Sequence, residues 1–154
     1  MRIFIASSGE RLNMAIEVGS WLEGMNVEPV LWNEPEVFPL GAYTWDALID
    51  LSENVDAAIF IFGEDDQIWF RGESTMTVRD NVLLEYGLFS GKLSKANTIF
   101  LCDGRPKLAS DLEGITWGDI RKKNSVRIKL ENWINSIRAS NQKKVKGFKI
   151  TDLN

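Results

Sequence analysis

Carboxylates are the side chains best placed for acid–base chemistry in this 154-residue sequence, because it contains no histidine and a single cysteine. That composition excludes histidine general bases, Ser-His-Asp and Cys-His triads, and metal sites built from histidine or several cysteines. Glu85 is the carboxylate of most interest. It lies at the edge of the apolar stripe of a predicted helix, between Val82 and Phe89, where a carboxylate is partly desolvated. The alternative, an ordinary surface glutamate in contact with Asn81, stays open.

A short polar segment, Ser7-Ser8-Gly9-Glu10, follows the first apolar run of the chain. Ser7 and Glu10 have the S-x-x-E spacing of a capping box, so they are predicted to cap the first helix. A glycine-containing turn before a helix also offers free N–H groups to a phosphate, and the two roles are compatible. The sequence has no G-x-G-x-x-G motif, which excludes a conventional dinucleotide fingerprint.

The acidic residues Glu64-Asp65-Asp66 follow the third apolar run and carry oxygen ligands suited to a divalent cation. A phosphoacceptor receiver domain would also need acidic residues at the end of its first strand, where this chain has Ala6-Ser7-Ser8. We therefore reject the receiver domain, and we predict a solvated acidic turn with no metal site.

Apolar runs alternate with helical patterns along the chain, which is typical of a parallel sheet covered by helices. The most apolar run, 57–62, has the unbroken pattern of a strand that is buried on both faces. A polar loop is predicted over 64–77. The predicted strands are 2–6, 27–32, 57–62, 98–102 and 115–117, and the predicted helices are 14–25, 45–53, 79–93 and 125–138. We predict a flavodoxin-like α/β fold, a doubly wound parallel sheet with one strand for each of these runs.

The common strand order of such sheets, 2-1-3-4-5, reverses between the first and third strands. Ligands bind doubly wound sheets at the carboxyl ends of the strands next to this point. Residues 6–9, 63–66 and 79–85 are therefore expected to share one rim, with Glu85 among them.

Charge is distributed unevenly, since residues 1–120 hold 8 Lys and Arg against 20 Asp and Glu, and residues 121–154 hold 10 against 2. The basic end could contact the acidic body of a neighbouring copy or a polyanion, or it could be a solvated helix. Binding to nucleic acid is not expected, because the basic end has few aromatic side chains. No run is long enough to span a bilayer and the N-terminus does not resemble a signal peptide, so we expect a cytoplasmic protein without membrane contact.

Four segments together resemble a known family: 4–10, 32–34, 79–91 and 110–115, of which the third has the specific pattern RDN-x₃-E-x-G-x-F-x-G. They resemble bacterial TIR domains of the predicted nucleotide-binding type, most of all the TIR part of TIR–STING effectors in cyclic-nucleotide (CBASS) antiphage defence. The resemblance implies a TIR domain over 1–140 and a linker remnant over 141–154. The linker would lead to a C-terminal STING-like sensor that binds a cyclic dinucleotide.

The resemblance also implies an activity, the hydrolysis of NAD+ as substrate without a cofactor, which begins when TIR domains assemble into filaments or other oligomers. The family's catalytic glutamate corresponds to Glu85, and its mobile loop corresponds to residues 33–43. Asp111 is implied as a second position of the site, with an N-cap or turn aspartate as the alternative. The residues expected to bind substrate are Ala6, Ser7 and Ser8 near the diphosphate, Arg79 and Asp80 at the rim, Trp32, Phe38 or Trp69 against a ring, and Asp111.

Loss of nicotinamide from NAD+ suits a protein without histidine, because the pyridinium leaves as a neutral molecule and needs no general acid. One carboxylate, that of Glu85, is enough to stabilise the oxocarbenium-like ribose. Two alternatives remain. One is a TIR scaffold without enzymatic activity, in which Glu85 would be dispensable. The other is a nucleoside 2-deoxyribosyltransferase, which uses a glutamate in an E-x-G motif but differs at the turn occupied here by Ala6-Ser7-Ser8.

Overall fold

A central parallel sheet organises the protein, whose structure is a computed structural model that describes residues 1–38 and 44–151, with side chains described up to residue 145. The strands are β1 (Arg2–Ser7), β2 (Glu28–Leu31), β3 (Ala57–Gly63), β4 (Asp66–Phe70), β5 (Glu73–Thr77), β6 (Thr98–Asp103) and β7 (Gly118–Asp119). Five of them form the parallel sheet, in the order β2-β1-β3-β6-β7. The predicted doubly wound fold and its strand order are therefore confirmed.

Helices cover both faces of this sheet. They are α1 (Leu12–Glu23), α2 (Thr44–Glu53), α3 (Asp80–Leu93) and α4 (Lys123–Thr151). Side chains along β3 alternate between two apolar clusters, with Ile59 and Ile61 in the cluster of α1 and α4, and Phe60 and Phe62 in the cluster of α2 and α3. Because helices cover both faces, every residue of β3 is buried, which accounts for its unbroken apolar run.

Aromatic rings fix α3 on the sheet. Phe89 stacks on Phe4 of β1 with centroids 4.9 Å apart, and it meets Phe60 of β3 edge-on at 5.7 Å. Tyr86, one turn earlier, contacts the same Phe60 ring edge-on at 5.6 Å. Since Tyr86 directly follows Glu85, these rings determine how deeply the turn that carries Glu85 lies against the sheet.

Replacing Phe89 with leucine is expected to lower the free energy of unfolding by about 1–2 kcal/mol. Leucine leaves part of a fully buried site empty and removes both ring contacts. Urea denaturation monitored by circular dichroism measures the loss, and Ile128→Ala, at an exposed position of α4, serves as the control. If the two variants lost the same stability, the ring cluster would not be what holds α3.

The segment predicted as a polar loop, 64–77, instead contains an antiparallel hairpin of β4 and β5. Arg71 and Gly72 at its tip have φ of 50° and 84°, the positive values that a type I′ turn requires at both central positions. The sequence analysis missed this hairpin because such turns usually carry Asn-Gly or Asp-Gly, whereas this one carries Arg-Gly.

The predicted fifth strand, 115–117, is displaced along the chain, since β7 comprises Gly118–Asp119. A Cβ atom at Gly118 would lie 3.0 Å from Leu101 of β6 and 3.1 Å from Val126 of α4. Glycine thus allows the strand to lie close to β6 and α4 at once, whereas the predicted strand stopped before this residue.

The C-terminal helix is longer than predicted. It was expected over 125–138, but α4 continues to Thr151, so most of the predicted linker remnant, 141–154, is helical. The division between domain and linker at residue 140 stays a prediction, and residues 152–154 lie outside the described part of the chain. Within the described ranges, no helix is both long and apolar enough to cross a bilayer.

Candidate functional site

Glu85 lies on α3 at the border between its buried and exposed faces, as its spacing predicted. The side chain is half-buried, and this burial raises the pKa of its carboxyl from 4.5 to about 7. Among the described residues, no cation or hydrogen-bond donor offsets the effect of burial. A desolvated carboxylate without a cationic partner attracts a positively charged ligand more strongly than a solvated or paired carboxylate does.

A cavity of about 310 Å³ lies beside Glu85, between α2 and α3. Its described lining residues are Thr44, Trp45, Leu48, Asn81, Leu84 and Glu85. Trp45 keeps 43% of its surface exposed. Trp45 begins the predicted helix 45–53 and was not predicted as a site residue. A cue was available, because this aromatic residue stands in the first turn of a helix that follows a proline-containing loop.

Ala6, Ser7 and Ser8 are buried at the carboxyl end of β1. The Ser7 hydroxyl accepts a hydrogen bond from the indole N–H of Trp32 at 2.9 Å and donates one to the Ser8 carbonyl at 2.9 Å. Trp32 thereby ties the chain that follows β2 to the end of β1. Contact between substrate and these four residues remains a prediction.

The predicted capping box of Ser7 and Glu10 is wrong. A 3₁₀ turn, Gly9–Arg11, precedes α1, and Ser8 at its N-cap makes no capping hydrogen bond through its side chain. Ser7 belongs to β1, where its hydroxyl is held by Trp32. The Glu10 carboxylate instead accepts a hydrogen bond from the Arg79 guanidinium at 2.9 Å.

Arg79 and Asp80 lie at the start of α3, on the predicted rim. The Arg79 guanidinium lies 2.9 Å from Glu10 and 3.3 Å from Asp66, so it links the turn before α1 to β4. Asp80 is exposed and accepts a hydrogen bond from the backbone N–H of Asn81 at 2.7 Å. Both residues shape the rim, and their contact with substrate remains a prediction.

A second guanidinium, that of Arg11, pairs with carboxylates at the ends of β3 and β6. Its Nε lies 3.0 Å from Asp103, and its Nη2 lies 3.7 Å from Asp65. The side chain of Asp65 is 1% exposed, and burial raises its pKa. The guanidinium crosses the face of Gly63, where any Cβ atom would collide with it. The prediction of a solvated acidic turn is therefore wrong at Asp65, because the local sequence does not reveal a cation that comes from a distant segment.

The described lining of the Glu85 cavity contains none of the predicted substrate-binding residues, which are Ala6, Ser7, Ser8, Trp32, Phe38, Trp69, Arg79, Asp80 and Asp111. Phe38 is half-buried and packs against the apolar cluster of α2 and α3. Asp111 is exposed within the 3₁₀ turn Ser110–Leu112, whose N-cap is Ala109. Asp111 is thus a turn aspartate and not an N-cap, and its role in the site remains a prediction. Residues 39–43 of the predicted mobile loop lie outside the described residues.

The chemistry of the Glu85 cavity is set by its small number of charges. Glu85 is the one ionisable group in its described lining. The lining therefore does not supply the second carboxylate that a reaction with both a general acid and a general base requires. The single carboxylate can instead stabilise a positive charge that develops beside it during a reaction. In the described part of the chain, no group of three or more potential metal ligands comes together.

Comparison with known proteins identifies the family. The family described as CAP12/Pycsar effector protein, TIR domain, matches residues 2–122. The chain belongs to this family of bacterial TIR domains. The matched segment runs from β1 to β7 and contains Glu85, and the TIR resemblance drawn from the sequence is confirmed.

Two relatives show how much of a longer protein the TIR domain represents. It is 34% identical over 137 residues to CD-NTase-associated protein 12 of Sphingobacterium faecium, covering 89% of this chain and 42% of the relative. It is 37% identical over 117 residues to the Pycsar effector protein PaPycTIR of Pseudomonas aeruginosa, covering 74% of this chain and 37% of the relative. The chain therefore spans about two fifths of the length of these relatives.

Solved structures share the architecture of this TIR domain. The TIR domain of the Toll-related receptor TRR-2 from Hydra magnipapillata matches with a TM-score of 0.61 at 16% identity, over 88% of this chain and 97% of that one. The SEFIR domain of IL-17 receptor B matches with a TM-score of 0.52 at 12% identity, over 86% and 96%. At such identities the likeness concerns the fold, and it confirms the predicted α/β class.

Proposed function

We propose that this TIR domain hydrolyses NAD+ at the bond between nicotinamide and ribose, as an effector in antiphage defence. The observation that carries the proposal is the half-buried Glu85 carboxylate, with its pKa raised to about 7, in a cavity that has an aromatic wall. The pyridinium of NAD+ is positively charged, and it can supply the cationic partner that the described residues do not give this carboxylate. Its leaving group needs no general acid, and no second ionisable group is present in the described lining.

In the proposed reaction, the bond between C1′ and the pyridinium nitrogen breaks, and its electron pair passes to that nitrogen, which makes nicotinamide neutral. Positive charge develops on the ribose at the same time, as an oxocarbenium-like centre. The Glu85 carboxylate stabilises this centre through its charge or captures C1′ covalently. Water then adds to C1′ and releases a proton, and ADP-ribose leaves.

The rate of NAD+ cleavage is expected to fall as the pH drops below about 7, because Glu85 becomes protonated there and a neutral carboxyl cannot stabilise the ribose cation. The acid limb of kcat/KM should have its midpoint near 7, whereas an ordinary glutamate would place it near 4.5. The limb of kcat should lie at lower pH, because the bound cation favours the carboxylate. Initial rates of nicotinamide release from about pH 5 to about pH 9 measure both limbs, and a constant kcat/KM over that range would contradict the proposal.

The proposal includes activation by assembly. In the full-length protein, a C-terminal STING-like sensor would bind a cyclic dinucleotide and bring TIR domains together in cytoplasmic filaments. The charge distribution supports contact between copies, because residues 1–120 are strongly acidic and most of α4 is basic. The isolated domain is therefore expected to be mostly monomeric and weakly active in dilute solution, and strong turnover by a verified monomer would contradict this part of the proposal.

Nicotinamide release distinguishes the proposed function from its two alternatives. The domain, fused to an oligomer-forming partner, is incubated with NAD+ in one reaction and with a deoxynucleoside and a free base in another. Release of nicotinamide without base exchange supports the NAD+ hydrolase. Base exchange alone would indicate the deoxyribosyltransferase, and no reaction in either mixture, with assembly verified, would indicate the scaffold.

A further inference from the structure

Trp45 lines the same cavity as Glu85, although the two residues belong to different helices. Its indole is 43% exposed, and Leu84 of α3, in the same lining, is 59% exposed. Both residues also line a wider cavity of about 570 Å³ along α3, whose other described lining residues are Asp80, Asn81, Leu83, Gly87 and Leu88. Large apolar side chains left exposed beside a half-buried carboxylate form a surface suited to a flat ring.

Because Trp45 lies beside Glu85, it can contact only the part of NAD+ that lies next to the Glu85 carboxylate. This step rests on the proposed function, in which Glu85 acts at C1′ of the nicotinamide ribose. The group bonded to C1′ is the nicotinamide ring, so that ring must lie close to the carboxylate. The cavity that Trp45 shares with Glu85, at about 310 Å³, is near the small end of ligand sites. It suits one ring and its ribose, and the adenine lies at the far end of the dinucleotide.

We infer that Trp45 binds the nicotinamide ring of NAD+ and makes the site specific for its charged pyridinium form. The face of a tryptophan attracts a cation above it more strongly than the face of any other side chain does. The pyridinium of NAD+ is both flat and positively charged, so it gains stacking and cation–π attraction together. The reduced dinucleotide has a neutral, non-aromatic nicotinamide ring, which gains neither in full.

Trp45 and Glu85 act on different kinetic constants. The charge of the pyridinium is complete in bound NAD+ and fades as the bond to C1′ breaks, so the attraction of Trp45 is strongest before the transition state. An interaction of this kind lowers KM without raising kcat. Glu85 faces the charge that develops on the ribose, so its removal lowers kcat.

Two variants of Trp45 separate the aromatic face from the apolar bulk. W45F keeps a ring, W45L keeps apolar volume without one, and the exposed position of Trp45 permits both to fold. In the oligomerised protein, W45L is expected to raise KM for NAD+ about tenfold while kcat stays within about threefold of wild type. W45F should show a much smaller increase in KM. Phe70→Leu, which removes a 39% exposed aromatic ring of β4 from outside the described lining of the cavity, is the matched control and should leave both constants unchanged.

A binding measurement makes the test independent of catalysis. 1-Methylnicotinamide, which is methylated at the ring nitrogen, carries the pyridinium without the ribose, and its affinity for each variant is measured by NMR titration. An affinity about tenfold weaker in W45L than in wild type, and unchanged in Phe70→Leu, supports the inference even if no variant cleaves NAD+. In that case the proposed function alone would fail. No measurable binding to the wild type, equal affinity in W45L, or an unchanged KM in W45L would overturn the role of Trp45.

Discussion

Replacing Glu85 with glutamine is expected to slow nicotinamide release by about a hundredfold to a thousandfold, with the loss in kcat. The amide keeps the size of the side chain but cannot carry the negative charge that the oxocarbenium-like ribose requires. Single-turnover measurement of nicotinamide release on the oligomerised protein reports this step directly. E131Q, at an exposed glutamate of α4, is the matched control and should react at the wild-type rate.

The same substitution is expected to stabilise the fold at neutral and alkaline pH. The pKa of Glu85 is raised from 4.5 to about 7 in the folded protein, so burial of the ionised carboxylate costs stability. The wild type should lose stability relative to E85Q as the pH rises from 4.5 to about 7, because glutamine does not titrate. Above that range the free energy of unfolding of E85Q should exceed that of the wild type by about 2 kcal/mol. This is less than the full pKa shift would give, because solvent screens the exposed part of the side chain. Urea denaturation across this pH range measures the difference.

Activity and stability must therefore move in opposite directions in E85Q. Full turnover in the variant would remove Glu85 from the mechanism. A fold less stable than wild type at neutral pH would show that Glu85 has a structural partner, which would contradict the desolvated carboxylate described above. If E85Q assembled normally and the wild type had no turnover, the scaffold would be the better account.

Replacing Arg11 with methionine is expected to lower the free energy of unfolding by about 3–5 kcal/mol at neutral pH. The substitution leaves Asp65, whose side chain is 1% exposed, as a buried carboxylate without its cation. Methionine keeps the unbranched stem, so most of the loss is electrostatic. Asp103 also loses a partner 3.0 Å away, but its side chain is 20% exposed, so water can solvate it. Urea denaturation measures the total effect.

A second substitution isolates the contribution of Asp65. Adding Asp65→Asn to Arg11→Met should restore more than half of the lost stability, because the amide is neutral and needs no cation. The defect of the single variant should also shrink as the pH falls, since burial raises the pKa of Asp65 and the protonated carboxyl is neutral. A loss below about 1 kcal/mol for Arg11→Met, the range of a surface ion pair, would contradict a buried pair.

The features that the sequence predicted correctly are those written in local periodicity. The unbroken apolar run of β3 requires both faces of the strand to be buried, and helices on both sides of a parallel sheet bury them in the doubly wound fold. The spacing of Val82, Tyr86 and Phe89 defines the buried face of α3. The half-buried position of Glu85 follows directly from that face.

The features that were missed depend on contacts between distant segments or on unusual turn residues. Asp65 is buried and lies 3.7 Å from Arg11 of the turn before α1, a contact that no pattern around Glu64-Asp65-Asp66 reveals. The hairpin of β4 and β5 turns on Arg71 and Gly72, a pair that lacks the usual asparagine or aspartate. Trp45 lies beside Glu85 because α2 packs against α3, and the sequence cue at the start of α2 does not show which residue of α3 it will face.

The measurement that tests the central claim most directly is product analysis of NAD+ incubated with the oligomerised wild type and with identically fused E85Q. We expect equimolar nicotinamide and ADP-ribose from the wild type and almost none from E85Q, with both proteins folded and assembled. Equal product from both proteins, or none from an assembled wild type, would contradict the claim that the Glu85 carboxylate cleaves NAD+.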